Sequence, residues 1–65
     1  MDALRFTYLL ECSEAMRRAN ERFREACWDE NTEAARAWFD AMAAIGSDLR
    51  KTLQEIEASA KKEAA

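Results

Sequence analysis

Apolar and small residues recur at alternating steps of three and four along two stretches of this chain, and that spacing restricts it more than any other feature. The first stretch reads Leu9, Cys12, Met16, Ala19, Phe23 and Ala26; the second reads Ala35, Trp38, Met42, Ile45, Leu49, Thr52 and Ile56. A mean step of 3.5 residues keeps a stripe on one side of an α-helix, whereas a strand turns successive side chains to opposite faces. Residue usage agrees with the spacing. Fourteen of the 65 residues are Ala, Pro and Val are absent, and the β-branched residues are only Thr7, Thr32, Thr52, Ile45 and Ile56. The fold class that follows is all-α.

Asp29-Glu30-Asn31-Thr32 is the only mid-chain cluster of helix-capping residues. Asn31 or Thr32 can accept hydrogen bonds from the free N–H groups that open a second helix, and Glu33 suits the positive end of its dipole. Helix one is therefore expected over about 2–28 and helix two over about 32–62, with the tail from Lys61 to Ala65 fraying. Gly46-Ser47-Asp48 is the other candidate break, where Gly46 could end a helix and Ser47 cap a third. The apolar stripe passes through Gly46 without losing phase, which a loop would cost it. Helix two is thus predicted to be continuous, with Gly46 costing about 1 kcal/mol relative to Ala. Two arms of matching period around a short polar turn predict one domain over 1–65, an antiparallel helical hairpin. Each arm would be on the order of 40 Å long.

The seam between the arms is lined by small residues: Cys12, Ala19 and Ala26 on one arm and Ala35 on the other, with Ala41 beside it. The larger side chains fall next to it. Phe6 and Cys27 share one flanking heptad position, Phe39 and Leu53 share the equivalent one, and Leu4, Tyr8 and Leu10 widen the stripe further. Such a face is broader than one neighbouring helix covers, and each large side chain left in water forfeits about 1.5–3 kcal/mol. The expectation is a second copy that completes a twofold, antiparallel four-helix bundle; a different protein on the same face is the rival reading. The residues expected at that dimer or partner interface are Phe6, Leu9, Cys12, Met16, Phe23, Cys27, Phe39, Met42, Leu49 and Leu53. Trp38, on the seam, is expected in the core. Trp28, off the seam, either folds over the hairpin end onto Phe39 or Ala35 or stands exposed as an anchor for a partner.

Chemistry is sparsely represented. His is absent, which removes the commonest general base and the Glu-x-x-His motif of bundle di-metal sites. Glu11 and Glu14 form an E-x-x-E pair on which nothing else converges. Cys12 and Cys27 lie on the apolar side, where inert packing outweighs a nucleophilic role. No Gly-rich phosphate loop occurs. No enzymatic role, metal, cofactor or small molecule is expected. On one straight helix the two cysteines would stand roughly 22 Å apart, against about 7 Å for a disulfide, which suits a reducing compartment. Met1-Asp2-Ala3-Leu4-Arg5 lacks the pattern of an export signal, so a cytoplasmic protein is expected. Hydrophobic residues make up 49% of the chain, yet no apolar run approaches twenty, and the short Phe6–Leu10 stretch is followed by Glu11 and Glu14. No membrane association is expected.

Arg17, Arg18, Arg22 and Arg24 fall within eight residues of helix one. A basic helix face can bind phosphate, and a dimeric bundle using Arg17, Arg18 and Arg24 would be a Rop-like RNA binder, similar in architecture and without a shared motif. Ordinary surface pairing accounts for the run more simply. Glu14 precedes Arg18 by four, Glu21 follows Arg17 by four and precedes Arg24 by three, and Glu25 follows Arg22 by three. Arg36 and Asp40 repeat the pattern. The chain is acidic, with a net charge of −3 and a pI of about 4.9. The function expected is therefore a small non-enzymatic interaction module or regulator: an adaptor, a co-chaperone, or a phage or plasmid protein that occupies a host factor. It would act as a homodimer by steric binding of another protein, with RNA binding as the alternative.

Overall fold

The computed structural model describes residues 2–64; Met1 and Ala65, read above in the N-terminal segment and the tail, lie outside the described residues. Two helices pack as an antiparallel hairpin, α1 over Ala3–Trp28 and α2 over Thr32–Ala64. The rod measures 52 × 15 × 11 Å. Helix α2 is continuous through Gly46, as the unbroken phase of its stripe requires. It also runs past Lys61, where a frayed tail was expected, to Ala64. Lys61 and Lys62 stand at the negative end of the helix dipole, and Ala, Lys and Glu are strong helix formers, so the last turn has both charge and propensity in its favour.

The turn between the helices is built from backbone hydrogen bonds. Asn31 N–H donates to the Ala26 carbonyl at 2.9 Å and Glu30 N–H to the Cys27 carbonyl at 3.1 Å, the paired bonds of a Schellman motif. That motif places one residue in the left-handed region, and here it is Glu30, with φ of 53°. Glycine usually occupies such a site because a Cβ crowds the following carbonyl. Of the two candidate caps, Asn31 is used: its Oδ1 accepts from Ala34 N–H at 3.0 Å while its carbonyl accepts from Ala35 N–H. One residue thus closes α1 and opens α2.

The core is thin. Cys12, Ala19 and Ala26 of α1 and Thr52 and Ile56 of α2 are buried, and Ala19 is only 3% exposed. Leu9, Met16, Phe23, Met42, Ile45 and Leu49 are half-buried around them. Trp38 departs from expectation. The sequence places it in the core, yet it is 38% exposed: with the small, buried Ala26 across from it, the indole lines an open cleft together with Arg22 and Glu25 of α1. A Cβ added at Gly46 would stand 3.7 Å from Met16 Cε, an ordinary contact, and the backbone there has no positive φ. Gly46→Ala is expected to raise the unfolding free energy by about 1 kcal/mol in urea titration, since only helix propensity changes; a loss would show that the helices cannot admit a methyl group. Glu30→Gly is expected to add roughly 0.5–1 kcal/mol in the same assay by relieving the left-handed residue, and an unchanged midpoint would count against strain there.

Candidate functional site

The two flanks of the seam differ. In an antiparallel pair, equivalent flanking positions meet on the same side, so Phe6, Ser13, Asn20 and Cys27 of α1 share a flank with Phe39, Gly46 and Leu53 of α2. At the end of the rod away from the turn this flank opens into an apolar groove of about 560 Å³. Leu9 and Leu49 form its floor, Phe6, Leu10 and Leu53 its walls, and Arg50 its lip. Nearer the turn the same flank carries the Phe23–Phe39 ring pair, with centroids 6.3 Å apart, and the Arg36 guanidinium lies 5.9 Å from the Phe39 centroid.

The expected interface residues divide between the hairpin's own seam and this flank. Cys12 is buried, and Leu9, Met16, Phe23, Met42 and Leu49 are half-buried, so each already contributes to holding the two helices together. Phe6, Cys27, Phe39 and Leu53 are exposed on the flank. Trp28 does not fold over the hairpin end: it is 84% exposed beside Arg24 and Cys27. Sequence reasoning did not foresee Leu10 and Arg50 as two sides of one groove. The signal was present in the register, because Leu10 sits seven residues before Arg17, and Arg50 seven before Glu57, on the outer edges of the same flank.

The arginine run is partly committed to its own helix. Arg17 bonds Glu14 at 3.0 Å and Glu21 at 2.9 Å, Arg22 bonds Glu25 at 3.2 Å, and Arg36 pairs with Asp40 at 3.2 Å. The hydrogen bond from Arg17 to Glu14, with the charges of Glu14 and Glu21, raises its already high pKa. Glu14 turns to Arg17 and not to Arg18, the partner its spacing suggested. Arg24 and Arg50 have no ion-pair partner among the described residues. Arg17 and Arg24 share an edge, whereas Arg18 lies about 100° further round the helix, so the three do not form one phosphate-facing row.

No protein-family model, curated protein or solved structure matches this chain. Among the described residues no group of three or more His, Cys, Asp or Glu side chains could hold a metal ion, and no helix is long and apolar enough to cross a membrane.

The opposite flank joins the helices through polar contacts. Arg5 reaches Glu55 at 3.5 Å, and the Tyr8 hydroxyl donates to Asp48 Oδ2 at 3.4 Å. The Tyr8 pKa is raised, first by its hydrogen bond with Cys12 and then by the negative charge of Asp48. A raised phenol favours the folded state at pH values below the ordinary tyrosine value of about 10, and that contribution is lost as pH climbs through the folded value. In an absorbance titration of the phenolate, the folded chain is expected to ionise at higher pH than the urea-unfolded chain, with Asp48→Asn recovering part of the gap. Coincident curves would contradict the contact.

Proposed function

We propose that the chain is a non-enzymatic protein-interaction module that acts by steric binding of a partner protein, and that two copies pair into an antiparallel four-helix bundle. One observation carries the reading: Leu4, Phe6, Tyr8, Leu10, Trp28, Trp38, Phe39 and Leu53 are all exposed on a 65-residue hairpin, Leu10 at 70%. Soluble proteins cover apolar surface on that scale by association. A cytoplasmic adaptor, co-chaperone or regulator fits this description, with two free cysteines and no disulfide to maintain.

The flank away from the groove suits the second copy. Ala34, Ala37, Ala41 and Ala44 recur there at helical spacing and let another rod approach closely, while its charges carry both signs, including Glu11, Arg18, Arg22, Asp48 and Lys51. A twofold contact meets itself, so mixed charge can be complementary where a single sign cannot. Size-exclusion chromatography with light scattering is expected to give twice the 7.5 kDa chain mass at micromolar concentration. Ala37→Glu combined with Ala44→Glu should return the species to a monomer. A wild-type monomer under these conditions would remove the homodimer from the reading.

A further inference from the structure

We infer that the arginine-edged flank takes an acidic amphipathic helix of a partner protein, a conclusion that rests on the docking role proposed above and names its ligand. The groove gives the apolar half of the argument. Beyond Ser13, at the end of the groove, the heptad register puts the small residues Gly46 and Ala43 on the same flank before Phe39, so the flank reads as a shallow channel between two larger apolar ends. A helix presents a ridge of side chains at matching spacing and is the element that such a channel accommodates.

Charge gives the other half. The outer edges of this flank carry Arg17 and Arg24 on α1 and Arg36 and Arg50 on α2, against the single acid Glu57, in a chain whose net charge is −3. Arg17 and Arg36 are neutralised by carboxylates of their own helices, which leaves Arg24 and Arg50 unmatched among the described residues. Met16 lies against Gly46, and Phe23 against Phe39, so Arg50 is level with about residue 12 of α1. The two unmatched cations therefore stand on opposite edges of the channel, roughly 18 Å apart along the rod. A helix lying in the channel would meet one on each side and would complement them with Asp or Glu bordering its apolar stripe.

A second copy is a poorer occupant. Twofold pairing of this flank with itself sets Arg24 against Arg36 if the turns lie at the same end, and Arg17 against its own copy if they lie at opposite ends. A lipid surface is poorer as well, since the apolar side chains line a concave channel that a flat layer does not fill, and only two unmatched cations border it.

The test uses fluorescence anisotropy with a labelled synthetic helix of about 20 residues, roughly 30 Å long, that carries Leu at its seam positions and Glu and Asp at the flanks. Its counterpart replaces the acids with Lys and keeps every Leu. The acidic helix is expected to bind at least about tenfold more tightly, and added salt should erode the difference. Arg24→Glu with Arg50→Glu should reverse the preference, which a merely destabilised protein would not do. Leu10→Ser should weaken binding while leaving the mass by light scattering unchanged. Equal affinity for both peptides would overturn the charge assignment and leave the docking role standing. Loss of the dimer in Leu10→Ser would hand the groove to a second copy, and capture by anionic phospholipid vesicles would hand it to a membrane. Failure of both peptides to bind would remove the docking reading itself, whatever the mass by light scattering.

Discussion

Close approach of the two helix axes determines the rest of the molecule. Cys12, Ala19 and Ala26 put little between the backbones on the α1 side, and among the described residues only Thr52 and Ile56 of α2 are buried against them. The residues able to bury substantial area are consequently displaced sideways. Phe6 and Leu53 end on one flank and Tyr8 on the other, while Trp38 rests at the margin. A seam of leucines would have spread the axes and drawn more of the apolar surface inward. Alanine gives a tight joint and a poorly covered exterior, and both properties arise from the same few positions.

Much of this was legible from spacing. The 3-4 periodicity fixes helix type and phase, and an unbroken phase through Gly46 carries more information than the helix-breaking reputation of glycine, because a loop at that point would have rotated everything after it. The cap cluster located the turn to within a residue. Three details depended on packing that periodicity does not encode. Trp38 occupies a seam position by count, but the width of the seam opposite Ala26 decides whether an indole fits. Trp28 could be assigned either covering or exposure, since the direction of a side chain in the last helical turn depends on how the chain leaves it. Glu14 had Arg17 and Arg18 within reach, and rotamer geometry chose between them. The groove was hidden for a related reason: its walls come from residues some forty positions apart in sequence, and only the hairpin register sets Leu10 and Arg50 on the two sides of one groove.

Charge is arranged with similar asymmetry. Exposed pairs such as Arg17–Glu21 and Arg36–Asp40 are local, solvated and individually worth a few tenths of a kcal/mol, so they contribute little to which way the hairpin folds. Their effect lies in what they subtract. By neutralising some arginines within α1 and α2, they leave one unmatched arginine on each edge of the grooved flank, Arg24 and Arg50, on an otherwise acidic rod. Where these two lie relative to the apolar channel matters more than the total, because short-range complementarity sets specificity while net charge acts diffusely through solvent.

The turn has a kinetic consequence. Asn31 serves both helices at once, and the residues on either side of it meet across the shortest loops in the chain, whereas Arg5 must find Glu55 across nearly its whole length. Ring closure grows costlier with loop length, so zippering begins at the Asn31 end and travels outward. The mouth holding Phe6, Leu10 and Leu53 is then the last part to assemble and the first to loosen. A surface in that position opens locally at less cost than the whole molecule unfolds, while the turn at the far end keeps the two rods together.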